Sequence, residues 1–91
     1  MARNFHRIRT EILLTINGKI RWTCEDLYGS KREFAPSRGK VLMIPPFILH
    51  TMEAEEPGST LVILANTLFV PEDPSTHDTY SSEMFRRLQA M

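Results

Sequence analysis

His6, Glu11 and His50 are the residues of this 91-residue chain whose types could do chemistry together. Imidazole and carboxylate groups lend lone pairs and exchange protons in water. The stretch NFHRIRTEILLTING sets His6 just before an apolar run and Glu11 at its start, and the run ends in Asn17-Gly18. Four residues lie between His6 and Glu11, enough for the chain to turn from one extended segment into the next. Four more separate Pro45 from His50. Each of the three falls where a strand begins or ends, so all can face one side of a sheet. Each also has a structural reading on its own. A histidine beside an apolar strand is commonly a satisfied core residue, and Glu11 could simply pair with Arg9 or Arg21.

The elements that must position them read as strands. Residues 10–16, TEILLTI, suit a buried strand. Asn17-Gly18 suits a two-residue type I′ turn, in which both central residues take positive φ. Residues 19–25, KIRWTCE, alternate, with Ile20, Trp22 and Cys24 on one face, so residues 10–25 are expected to form a β-hairpin. Tyr28-Gly29-Ser30 and residues 36–39 mark turns on either side of a short strand at 31–35. Residues 40–44, KVLMI, form a strand that Pro45-Pro46 stops. Extended chain resumes at 47–52, an acidic turn follows at 53–58, and 59–65, STLVILA, is the most strand-like run of all. Residues 66–79 read as a Pro- and Asp-bearing tail with little periodicity. Residues 81–91 read as a helix capped by Ser81, with Glu83 in its first turn and Met84, Phe85, Leu88 and Met91 on one apolar face. Short strands with regular turns make an all-β sandwich or barrel with a small helical appendage.

Bulk properties narrow the classes of function. A chain of this length forms one domain and buries only ~60–65% of its unfolded surface, so help from a partner chain is expected. Eleven Lys and Arg balance eleven Asp and Glu, which leaves no field favouring nucleic acid or an anionic membrane. The cluster Arg3, His6, Arg7 and Arg9 is a local exception: it would suit a phosphate-bearing small molecule, or form a solvated basic edge. Cys24 is the only cysteine, so there is no intrachain disulfide and no thiolate pair for a metal. Its alternating neighbours mark it as a small buried hydrophobe. No stretch approaches the ~20 apolar residues of a membrane span, and the N-terminus lacks the apolar core of a signal peptide. A cytoplasmic location is the expectation.

Two motifs carry a resemblance. Residues 4–18 read N-x-H-x4-E-x6-G, and residues 39–50 read G-x5-P-x-F-x2-H. In order and internal spacing they resemble the paired motifs of the cupins. Three positions depart from that pattern: Asn4 stands where the first histidine is usual, Phe47 where a glycine is, and Ala54 where an asparagine is. Cupins carry one or two strands ahead of the first motif. The chain therefore looks like a cupin short of its N-terminal strands, either completed by strand exchange with another subunit or a fragment. The segment IPPFILHTMEAEEPGSTLVILANTLFVPEDPSTHDTY is also similar to cupin domains of bacterial sugar-nucleotide epimerases and isomerases of capsular polysaccharide synthesis. Asn66, Phe69, Pro71, Asp73, Pro74, Asp78 and Tyr80 carry that likeness.

The resemblance implies a double-stranded β-helix, or jelly-roll barrel, over about 4–66, with tail and helix over about 67–91 in the same domain. It implies that His6, Glu11 and His50 converge as ligands of a divalent metal (Zn, Fe, Mn or Ni), with Asn4 as an added neutral oxygen. The implied reaction is isomerisation or epimerisation of a nucleotide-linked keto sugar by proton abstraction next to a carbonyl. Whichever of His6 and His50 is not bound to metal would act as base, and Tyr80 as acid if the tail folds over the barrel mouth. Arg7 and Arg9 would contact the substrate phosphates. Trp22 would fill the barrel or stack on the sugar or base. A non-catalytic sugar-binding or dimerising cupin and a cupin dioxygenase are the alternatives. Strand edges left open in a short barrel imply a homodimer.

Overall fold

The computed structural model describes residues 3–91. Eight strands follow in order: β1 (Asn4–Phe5), β2 (Glu11–Asn17), β3 (Ile20–Glu25), β4 (Lys31–Phe34), β5 (Val41–Ile44), β6 (Leu49–Ala54), β7 (Thr60–Ala65) and β8 (Tyr80–Ser81). A 3-10 turn at Pro74–Thr76 precedes β8, and helix α1 (Ser82–Gln89) follows it. The strands form two antiparallel sheets, ordered β4-β3-β6-β1-β8 and β5-β2-β7. The expected all-β architecture is present, and the strands expected between residues 10 and 65 all form.

The expected hairpin does not. β2 pairs with β5 and β7, whereas β3 pairs with β4 and β6, so Asn17-Gly18 carries the chain from one sheet to the other. Asn17 does not take the positive φ that a type I′ turn demands; among described non-glycine residues only Phe47 and Asp78 do. Gly18 is needed for a different reason. Its φ is 79°, and a Cβ there would sit 2.6 Å from the Cα of Ser59. β3 has one apolar face, and tertiary packing sets that face against the other sheet rather than beside β2. The one pair of consecutive strands that does form a hairpin is β3–β4. Its turn is held by Asp26, whose carboxylate accepts the N–H groups of Tyr28 and Ser30.

The side chains between the sheets are Leu13, Ile20, Trp22, Cys24 and Ile44. Burial pushes the Cys24 thiol up, in keeping with a packed apolar role. A second core lies on the opposite face of the larger sheet, where Phe5 and Leu49 meet Phe85 of α1. Ser81 caps that helix, accepting the Met84 N–H as the sequence suggests. The apolar face is narrower than expected: Phe85 is fully buried and Leu88 packs beside it, but Met84 is half-exposed and Met91 lies in solvent.

An ion pair between a buried carboxylate and an exposed guanidinium ties α1 to the barrel. The Glu25 carboxylate accepts from both terminal nitrogens of Arg86 and from the amide of Gln89. Arg86 above all, aided by Gln89 and against the cost of burial, holds the Glu25 carboxyl at about 2, against an ordinary 4.5. A carboxylate with a depressed folded pKa stabilises the fold fully above its unfolded value and loses that contribution as pH falls through the folded one. Stability is therefore expected to drop as pH falls from 4.5 toward 2. In Arg86→Met, denaturant unfolding at pH 7 and pH 3 should show a smaller acid loss than in the parent; an equal loss would remove Glu25 from the account.

Candidate metal centre

β1 is short but pinned on both sides, with Asn4 opposite His50 of β6 and Phe5 opposite Tyr80 of β8. His6 follows directly and is buried. Glu11 opens β2, opposite Ile44 and Ala65. His50 lies in β6, opposite Cys24. The pleat turns Glu11 and His50 inward, and His6, just past the end of β1, joins them. One ligand atom from each lies within 4.8 Å of the others. His6 Nε2 is 3.2 Å from Glu11 Oε1, and His50 Nε2 is 3.4 Å from the same oxygen.

The other ring nitrogens decide what these distances mean. His6 Nδ1 is 2.7 Å from the carbonyl of Asp78, and His50 Nδ1 is 3.0 Å from the carbonyl of Ile48. A carbonyl only accepts, so each Nδ1 carries a proton and donates it. In the neutral rings each Nε2 then presents a lone pair toward a carboxylate oxygen. That arrangement calls for positive charge, either as protons on the rings or as a cation between them. The field agrees. Hydrogen bonds from His50 and His6, against burial, hold the Glu11 carboxyl at about 2. Burial pulls His6 down, but Glu11 and the Asp78 carbonyl outweigh it, and its pKa is raised.

Two imidazoles and a carboxylate, with each ring steered by a carbonyl behind it, fit a divalent zinc, iron, manganese or nickel ion with coordination positions left open. The cavity in front of the three groups has a volume of about 340 Å³. Asn4, Thr51 and Thr79 add neutral polar groups to its wall, and Trp22, Met52 and Ile63 supply the apolar part. A second cavity of about 240 Å³ backs onto Cys24 among Phe34, Leu42 and Ile44. Its acids are committed elsewhere, Glu25 to Arg86 and Asp26 to its turn. The titratable chemistry is in the first cavity.

Three expected site residues lie outside it. Tyr80 does not reach the mouth: it sits opposite Phe5 and packs against it with ring centroids 5.5 Å apart, on the helix side of the sheet. Arg7 holds its guanidinium 5.8 Å above the Tyr80 ring. Arg9 is buried, donating to Thr67 Oγ1 at 2.8 Å and lying near the carbonyls of Thr76 and His77, so it is not free to meet a phosphate. Trp22 does line the cavity, with its ring centroid 6.4 Å from that of His50.

Asp78 is the residue that local patterns miss. It is buried with φ 44°, and its carboxylate accepts the N–H groups of Arg7, Ile8 and Arg9 at 2.8–3.0 Å. Burial opposes its charge, but these three donors win and its pKa is lowered. The supposed tail thus holds the loop between His6 and Glu11, and the carbonyl of Asp78 aims the His6 ring. A short polar residue able to adopt the left-handed conformation was the local signal; its partners some seventy residues away were not readable.

The two sheets, the helix and the inward His-Glu-His set define a cupin-like fold. Among solved structures the chain is similar to CapF with the inhibitor 3-isopropenyl-tropolone, at TM-score 0.76 and 22% identity over 89% of this chain and 24% of that one. It is also similar to the capsular polysaccharide assembling protein CapF from Staphylococcus aureus, at TM-score 0.74 and 24% identity over 89% of this chain and 22% of that one. The chain thus spans about a quarter of the length of those proteins. No family model and no curated protein matches it. Among the described residues no helix is long and apolar enough to cross a membrane.

Asp78→Ala should cost roughly 2–4 kcal/mol by leaving buried N–H groups without an acceptor, and should weaken Zn²⁺ binding ~10–100-fold by releasing His6. Asp78→Asn, which keeps the shape, should fall between. Denaturant unfolding and a competitive zinc titration measure the two effects; a large stability loss with unchanged zinc affinity would show that Asp78 does not aim His6.

Proposed function

We propose that the chain is a divalent-metal-binding cupin module acting on a nucleotide-linked keto sugar as an isomerase or epimerase. The carrying observation is the convergence of two Nδ1-protonated imidazoles on one oxygen of Glu11. His6, Glu11 and His50 would hold the metal. A bound divalent ion would polarise a carbonyl oxygen and acidify the neighbouring C–H. The cavity is large enough for one sugar ring, Trp22 adds an apolar edge to its wall, and Asn4, Thr51 and Thr79 offer hydrogen bonds to its hydroxyls. A neighbour named for capsular polysaccharide assembly supports a sugar substrate.

One observation favours a second reading. His6, Glu11 and His50 are the only titratable groups lining the cavity among the described residues. If a metal occupies all three, none of these side chains remains as a base, so turnover would need water in the cavity to take the proton; without that the module binds the sugar and does not turn it over. If no metal binds, His6 or His50 is free to carry the proton itself.

Elemental analysis of the purified chain beside His50→Ala, with deuterium wash-in from D2O next to the carbonyl of a nucleotide-linked keto sugar, separates these readings. The expected result is near-stoichiometric metal, lost in the variant, with wash-in in the parent alone. Metal without wash-in would leave a binding module. Wash-in without metal would leave a metal-free proton-transfer cupin. Neither would end the proposal.

A further inference from the structure

The cavity of about 240 Å³ behind Cys24 takes no part in the chemistry of the metal centre. It opens at the seam of the barrel. β4 and β5 are the outermost strands of their sheets, and among the described residues they do not pair with each other. Phe34 and Cys24 wall the gap on one side and Leu42 and Ile44 on the other, with Pro45 and Ile48 beside them. The space has room for roughly eight waters at ~30 Å³ each. Such walls offer waters few partners, so an apolar body that displaces them gains affinity. One positive charge points into this space. Arg32 stands directly opposite Cys24 in the β3–β4 ladder and shares its face, while Lys31 and Glu33 point the other way. Arg21 and Arg86 each hold a carboxylate, whereas among the described residues Arg32 holds none.

We infer that this cavity is a second small-molecule site, for a compact aromatic or branched aliphatic carboxylate whose carbon body lies among Phe34, Leu42, Ile44 and Ile48 and whose charge meets Arg32. Charge is the first argument. A guanidinium fork matches a carboxylate with two parallel hydrogen bonds, and Ser30 adds a hydroxyl to the same wall. The acids that border the cavity do not claim Arg32, because Glu25 is taken by Arg86 and Asp26 by the N–H groups of its turn. Their charges do set a limit: Arg32 balances a single negative charge, whereas a phosphate dianion would be repelled. Size is the second argument. A body of about eight heavy atoms fills the room of as many waters, so a nucleotide is too large. The ligand therefore differs in kind from that of the metal centre, and the inference is independent of what that centre binds.

Nuclear magnetic resonance titration of the full chain with 3-phenylpropionate, beside the alcohol 3-phenylpropanol and the variant Arg32→Gln, tests it. Arg32 is exposed and holds no carboxylate, so the variant should fold as the parent does. The parent should bind the carboxylate in the ~0.1–1 mM range. Replacing the carboxylate by the alcohol, or Arg32 by glutamine, should each weaken binding at least ~10-fold. The bound carboxylate should also slow alkylation of Cys24, the only cysteine, by iodoacetamide. An absence of binding at several millimolar would overturn the inference and leave Arg32 as a guard of the β4 edge. Binding that Arg32→Gln does not weaken, or that leaves the alkylation rate unchanged, would put the ligand elsewhere and overturn it too.

Discussion

The cavity depends on one aspartate reaching across the barrel. Asp78 is the place where the last third of the chain is fastened to the first. Its carboxylate gathers the N–H groups of the loop that separates His6 from Glu11, and its own carbonyl sets the tautomer of His6. The positive φ at this position carries a strain that three charge-assisted hydrogen bonds offset. Two neighbours reinforce the join: Asn66 accepts the Thr10 N–H, and Thr67 accepts from Arg9. Histidine orientation, loop shape and closure of the larger sheet by β8 are therefore one arrangement rather than three.

The larger sheet serves two cores at once. Pleating turns Trp22, Cys24 and His50 toward the cavity side, and Phe5, Leu49 and Glu25 toward the helix. The helix contributes no side chain to the cavity wall. It stiffens the floor on which His50 and Asn4 stand, through Phe85 in the second core and Arg86 on Glu25. Asn4, a departure from the usual cupin pattern, faces into the cavity opposite His50 and keeps a neutral polar group where a further imidazole is expected.

Much of this was legible from residue order. Period-two alternation found β3, apolar runs found β2 and β7, and Ser81 marked the start of α1. Motif spacing brought together His6, Glu11 and His50, because strand pleat and loop length are local quantities. What could not be read was long-range. Asn17-Gly18 looks like a hairpin turn because the local dihedral preference says nothing about which sheet the next strand will join. Residues 66–79 look aperiodic because their partners are backbone groups near the other end of the chain. Tyr80 and Arg9 have the right chemistry for a site, but Tyr80 faces the opposite side of its sheet and Arg9 is tied into the tail.

Only β3 and β4 pair with their immediate neighbour in the chain; every other strand finds its partner after a long excursion, from Glu11 to Ala65 for β2–β7 and from Asn4 to Ser81 for β1–β8. Such an order makes assembly slow. Loop-closure entropy must be met before most native contacts reward it, and domains dominated by distant pairings fold in ~milliseconds to seconds rather than microseconds. The β3–β4 hairpin, with its Asp26 turn, is the piece that can form early, and the Asn4–Ser81 pairing closes the largest loop. The convergence of His6, Glu11 and His50 is thus among the last features that a folding molecule acquires, and the aliphatic outer side chains of the smaller sheet, Met43 and Leu64 among them, are bare for most of the time that takes.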